Sequence, residues 1–224
     1  MNDTLDIASL FPTPLARMEI PSELSVACNF LDKTPMLHDK ESRMEYGVHS
    51  ENTYIMDEPE CAELKNYILK HVTDFGRNIL MYGYEEYVFS QTWVSWKEPG
   101  QFHTAHTHPN SIISAVFFYG YAEEGTPAIM FHRPQSGPNG AQSMMLKKRG
   151  MKKGEELSPF AWESFTIPFR PGLLLIFPSY FMHSVPLNKT NSTRKSVSMN
   201  IVPKGAIGDE HSLTELRYDK VLGK

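Results

Sequence analysis

The sequence predicts an α+β chain that is mainly β, with a helix in its first part and a sandwich or barrel of short strands after it. Three observations carry this. A single long stretch with helical periodicity lies before residue 86. Beyond it come short runs rich in Phe, Val, Ile, Trp and Tyr, separated by Gly/Pro turns, which is strand texture. The order, helix first and many strands later, belongs to segregated layers rather than to alternating βαβ units. No repeat or low-complexity linker divides the 224 residues. One domain is therefore expected, with helical support over about 1–85 and a β core over about 86–203.

Residues 11–21, FPTPLARMEIP, are pinned by prolines and read as an extended segment and early strand. Residues 58–81 are the helix: Asp57 is a candidate cap, Pro59 sits in the first turn, and Leu64, Tyr67, Ile68, Phe75 and Ile79 recur at helical spacing. The expected strands are Tyr87–Lys97, Ser111–Tyr121, Ala128–His132, Glu163–Ile167, Leu173–Phe177 and Lys195–Val202. The stretch 133–160 has prolines, glycines and a basic cluster. A loop that long is expected to act as a lid, where a choice among substrates is made.

Composition narrows the function classes. Hydrophobic residues make up 41% and aromatics 12%, enough for a substantial core. A net charge of −4 and a pI near 6.1 exert no broad pull on nucleic acid or anionic membrane, so neither is expected as a partner. No apolar run approaches the ~20 residues that span a bilayer. The start, MNDTLDIASLF, is acidic and lacks the basic and apolar regions of a signal peptide. Cys28 and Cys61 make no CxxC pair and suit reduced thiols, so a cytoplasmic location is expected. The basic run Lys147, Lys148, Arg149, Lys152 and Lys153 meets Glu155 and Glu156 at once, which marks a solvated loop. Oligomeric state leaves no trace in the sequence.

Three of nine histidines fall within six residues, His103, His106 and His108 in QFHTAHTHPN. Imidazole is the commonest neutral metal ligand near pH 7. Residues i and i+2 of an extended segment share a side, so His106 and His108 can present both rings to one ion. His103 has the wrong parity and needs a kink to join them. A third ligand would be remote: GLLLIFPSYFMHSV places His183 just beyond a buried strand and a turn. Three ligands on one face leave open positions, as in non-haem iron oxygenases, although HxH also occurs in zinc sites. Eleven residues on, Arg194, Ser196, Ser198 and Asn200 share one strand face. A guanidinium with a hydroxyl beside it suits a carboxylate.

HTHPNSIISAVFFY, FPSYFMHSVPLN and STRKSVSMN together resemble the 2-oxoglutarate/iron(II) oxygenases found in marine bacteria and their phages, and the opening FPTPL is similar to how that family begins. The resemblance runs from about residue 10 to 203. It implies a double-stranded β-helix, a jelly-roll or cupin-like core, with the supporting helix outside it. It also implies iron(II), the cosubstrate 2-oxoglutarate and O2, and hydroxylation of a small-molecule or peptidyl substrate with release of succinate and CO2.

By the resemblance, His106 and His183 are metal ligands, Arg194 pairs with the distal carboxylate of 2-oxoglutarate, and Ser196 adds its hydroxyl. His108 stands where the family pattern has Asp or Glu, which leaves the site one negative charge poorer. Glu98 and Glu123 are the alternative third ligands. The formal HxE at His49-Ser50-Glu51 is read as incidental. Trp93, Trp96, Phe117 and Phe118 are expected to line the site or fill the core. Two other classes stay open: a three-histidine cupin dioxygenase that uses no 2-oxoglutarate, and a non-catalytic metal- or ligand-binding barrel.

Overall fold

The computed structural model describes residues 8, 11–37, 47–133, 152–156 and 158–217. Most of the expected lid at 133–160, including Lys147, Lys148 and Arg149, lies outside the described residues. In chain order the elements are β1 (Ala16–Glu19), α1 (Ala27–Leu31), β2 (Met36–Leu37), β3 (Val48–Ser50) and α2 (Ala62–Asp74). They continue with β4 (Tyr87–Lys97), β5 (His103–His106), β6 (Ile113–Tyr119), β7 (Ile129–His132) and β8 (Ser164–Ile167). β9 (Leu173–Pro178), β10 (His183–Val185) and β11 (Arg194–Pro203) complete the list.

The strands form two antiparallel sheets, one of seven strands in the order β1-β9-β6-β11-β4-β3-β2 and one of four in the order β5-β10-β7-β8. From β4 to β11 the chain crosses from one sheet to the other at every step except the β7–β8 pair. That is the double-stranded β-helix, a jelly roll. The residues before β4 contribute more than helical support, because β1, β2 and β3 extend the large sheet at both edges.

The large sheet is covered on both faces, which is why β6 and β9 are buried from end to end. On the outer face Val94, Phe117, Leu174, Val197, Met199 and Ile201 pack with Leu64, Ile68 and Val72 of α2. On the inner face Val116, Phe118, Leu175 and Phe177 meet Ile129, Phe131 and Ile167 of the small sheet. The odd-numbered residues of β6 and β11 feed the first cluster, while the even-numbered residues of β6 feed the second.

The expected 58–81 helix divides into a 3₁₀ turn at Pro59–Cys61, α2, and a π turn at Phe75–Ile79. Asp57 does not cap it: Cys61 occupies the cap position with no side-chain bond, and Asp57 pairs instead with Lys65 at 2.5 Å. The π turn brings Gly76 against Tyr87 at the start of β4, where a Cβ would lie 2.4 Å from the tyrosine Oη. That hydroxyl is buried and has no hydrogen-bond partner among the described residues. Gly76→Ala should therefore destabilise the protein by about 1–3 kcal/mol through overpacking. Tyr87→Phe should be neutral or stabilising, since it removes an unsatisfied polar atom, and should recover part of the loss in the double variant. Urea denaturation midpoints measure all three, and an unchanged midpoint for Gly76→Ala would disprove the tight contact.

Candidate metal centre

The inner faces of β4 and β11 and the facing strands β5 and β10 enclose a cavity of about 50 Å³. β4 supplies Trp93, Ser95 and Lys97, and β11 supplies Arg194, Ser196 and Ser198. The small sheet supplies His103, His106 and His183, with His108 just past the end of β5. His183 and His106 are direct partners in the β10–β5 register, which explains why residues 77 apart in sequence meet. Their ring centroids lie 4.3 Å apart, and His108 lies 5.1 Å from His183 and 5.3 Å from His106. One ring nitrogen from each of the three falls within 4.8 Å of the others.

Hydrogen bonds select the tautomers. The Nδ1 of His106 is 2.9 Å from the Thr104 carbonyl, and that of His183 is 2.9 Å from the Phe181 carbonyl. The Nδ1 of His108 is 2.5 Å from Oδ1 of Asn200. Carbonyl oxygens only accept, so each Nδ1 carries the proton and each Nε2 keeps its lone pair. Burial pulls all three pKa values down, to about 4 for His108 and well below the ordinary value for His183. The rings are thus neutral, the state a metal requires of imidazole. Trp93 stacks over His108 with centroids 5.9 Å apart. The three residues fit an iron(II) site of three nitrogens on one face.

At the other end Arg194 is only 2% exposed. Its Nε donates to the Pro127 carbonyl at 3.0 Å and its Nη1 to Ser196 Oγ at 3.3 Å. The guanidinium also rests on the Phe118 ring at 4.8 Å and on Phe169 at 5.5 Å. Burial lowers its pKa to about 9, which leaves it charged at neutral pH. Among the described residues no carboxylate pairs with it.

The alternative third ligands stand elsewhere. The backbone N–H of Glu98 donates to Gln101 Oε1 in a turn, and the Glu123 carboxylate receives the N–H groups of Asn191 and Ser192. His49 lies in β3, between β2 and β4, and is exposed, with its ring turned to the Ser50 carbonyl, away from the histidines of the cavity. Trp96 and Phe117 belong to the outer-face core, whereas Phe118 backs Arg194.

The kink that His103 needs is present. Between His183 and Val185 of β10, two residues apart, β5 advances three, from His106 to His103. The extra residue reverses the alternation. His103 therefore lines the cavity with its ring centroid 4.0 Å from that of His106. Two participants escaped the sequence reading, Asn200 as the acceptor for His108 and Lys97 as a cavity cation. Their position on the cavity-facing parity of β11 and β4 was the available signal.

A fold and site of this kind define a non-haem metal oxygenase scaffold. Over residues 91–200 the chain matches the family described as "Putative 2OG-Fe(II) oxygenase". That stretch, which carries the triad and Arg194, belongs to the 2-oxoglutarate/iron(II) oxygenases, a family of oxidoreductases that use iron(II), 2-oxoglutarate and O2. No curated protein sequence matches the chain. Among solved structures, a Pseudomonas putida prolyl-4-hydroxylase aligns with a TM-score of 0.56 at 12% identity, covering 86% of this chain and 94% of that one. A 2OG-Fe(II) oxygenase-family oxidoreductase from Burkholderia pseudomallei gives 0.55 at 13%, covering 84% of each. The α-ketoglutarate-dependent epimerase SnoN of nogalamycin biosynthesis gives 0.61 at 12%, covering 87% and 80%. At these identities the likeness is one of fold.

Asn200 accepts from His108 Nδ1 and fixes that ring beside those of His106 and His183, so Asn200→Ala should weaken iron(II) binding about tenfold to a hundredfold. Asn200→Asp keeps an acceptor and should lose less. Metal titration of the apoprotein decides, and an affinity unchanged in Asn200→Ala would remove this bond from the site.

Proposed function

We propose that this protein is an iron(II)- and 2-oxoglutarate-dependent hydroxylase in which His106, His108 and His183 hold the metal and Arg194 and Ser196 hold the cosubstrate. The observation that carries this reading is the polarity of one buried cavity. Three neutral imidazoles point lone pairs into one end, and a buried guanidinium without a carboxylate partner among the described residues stands at the other. A dicarboxylic 2-oxo acid matches both ends.

Iron(II), when bound, would couple reduction of O2 and decarboxylation of 2-oxoglutarate to succinate and CO2 with oxidation of a C–H bond. The chain's own residues orient and exclude. Thr104, Asn200 and Phe181 lock the imidazole tautomers. Arg194, braced by Pro127 and two phenyl rings, presents a fixed fork to the distal carboxylate. Trp93, stacked on His108, walls the metal end.

The prime substrate is a prolyl or other peptidyl residue, a free amino acid or a small metabolite. Both kinds of acceptor occur among similar folds, in the prolyl-4-hydroxylase and in the epimerase of nogalamycin biosynthesis. No helix among the described residues is long and apolar enough to cross a membrane, and we place the protein in the cytoplasm as a single domain without a nucleic-acid partner. A three-histidine dioxygenase that uses no 2-oxoglutarate shares the imidazoles but gives Arg194 nothing to bind.

His106→Ala or His183→Ala should lose most of the iron while staying folded, as metal analysis would show; wild-type iron content in either would remove that residue from the ligand set. Arg194→Ala should keep its iron but bind 2-oxoglutarate about thirtyfold to several thousandfold more weakly, the equivalent of about 2–5 kcal/mol. Calorimetry on the iron-loaded, oxygen-free protein measures this. Failure of the wild type to bind 2-oxoglutarate would favour the direct dioxygenase.

A further inference from the structure

The cavity holds a second cation that the proposed reaction has not yet used. Lys97 is 1% exposed and ranks with Arg194 among the largest fully buried side chains. Lysine is rarely buried without a partner, because desolvating an ammonium is costly. Here Nζ donates to Ser95 Oγ at 2.8 Å and to its neighbour's carbonyl, that of Trp96, at 3.4 Å. Both acceptors are neutral, and among the described residues no carboxylate pairs with it.

Its position is specific. Lys97 faces Arg194 directly in the β4–β11 register, and opposed residues of an antiparallel pair project to the same face. Gly47 closes the outer side: its φ is +72°, and a Cβ there would lie 2.9 Å from Lys97 Nζ and 2.4 Å from the Trp96 carbonyl oxygen. Burial, with the adjacent Arg194 charge, pushes the ammonium down to about 7. Its charge also acts to lower the pKa values of His103 and His106. Lys97 thus shares one cavity with the imidazole cluster and the guanidinium. Among the described residues no acidic side chain lines the cavity.

We propose that Lys97 is a second cosubstrate-binding residue, which joins Arg194 on the distal carboxylate and makes the cavity select doubly charged 2-oxo acids. Two cations side by side in a cavity without acidic groups repel each other until an anion enters, and the anion they share must carry a carboxylate away from the metal end. A 2-oxo acid with one carboxylate spends it at the metal end and leaves this pair unsatisfied. The inference rests on the reading of the site as a 2-oxoglutarate site.

The test compares 2-oxoglutarate with 2-oxopentanoate, which lacks the distal carboxylate, by calorimetry on the iron(II)-loaded, oxygen-free protein. Lys97→Met should weaken 2-oxoglutarate binding about tenfold to a hundredfold, the scale of a charge-assisted bond. 2-Oxopentanoate should change by less than about twofold, since it offers Lys97 no partner. Without ligand, Lys97→Met should melt at or above the wild-type temperature, because it removes an uncompensated buried charge. Ser95→Ala, which deletes only the hydroxyl that steers Nζ, should show a smaller loss of the same discrimination. Unchanged 2-oxoglutarate affinity in Lys97→Met, or equal losses for both acids, would overturn the proposal. A lower melting temperature with intact discrimination would instead give Lys97 a structural role. If the wild type binds neither acid, the reading of the site as a 2-oxoglutarate site itself fails; if it binds 2-oxoglutarate and the variants match it, only the role of Lys97 does.

Discussion

The alternation of side chains along β11 is the constraint on which both the core and the site depend. This strand lies between β4 and β6 in the large sheet, hydrogen-bonded on both sides. Val197, Met199 and Ile201 point to the helix layer, and Arg194, Ser196, Ser198 and Asn200 point between the sheets. A slip of one residue would exchange the two sets, burying a guanidinium among aliphatics and emptying the cavity of its polar lining. Packing energy therefore guards the placement of the chemistry. The hydrophobic side of the strand sets the register, and the polar side inherits its positions. β4 repeats the arrangement, with Val94 in the core and Trp93, Ser95 and Lys97 in the cavity.

Elements long enough to express a period were legible in the sequence. β4 has the bounds expected for it, and β6, β7, β8, β9 and β11 differ from expectation only at their ends. β2, β3 and β10 have two or three residues each, too few for alternation to be read, and β5, with four, carries a bulge that breaks its alternation. The helix was visible from its apolar stripe, but its start was not, since nothing local reveals that Asp57 prefers Lys65 to a cap. His106, His108 and His183 could be grouped because their spacing and strand contexts are sequence properties. Asn200 could not be paired with His108, because a contact across 92 positions is made by the fold alone. A lysine at a strand end reads as a solvated residue, and only the register with Arg194 and the cover of Gly47 put Lys97 inside.

The cavity departs from the electrostatic neutrality that stability favours. Its imidazoles are held uncharged by burial, and its two cations find only hydroxyl, carbonyl and aromatic partners among the described residues. Such groups lower stability in the empty protein and gain compensation when an anion enters. The surrounding core is correspondingly continuous, with fully buried β6 and β9 beside the site. Local disagreement with folding preference, supported by strong packing around it, is a mark of a functional region.

The bulge in β5 also determines how the histidine pattern of this chain encodes shape. In an uninterrupted strand, residues three apart face opposite ways, so His103 and His106 would never share a cavity. The extra residue makes the interval of three equivalent to two, and the interval from His106 to His108 then follows in ordinary phase. The spacing H-x-x-H-x-H is thus a record of a phase change in the backbone as well as a set of donors. Removing one residue between the first two histidines would restore regular pairing without changing which side chains are present. A chain with H-x-H-x-H would reach the same three-ring wall by a straight strand. Relatives should accordingly be superposed on the bulge, with His106 opposite His183 as the fixed point, before their histidines are counted as equivalent.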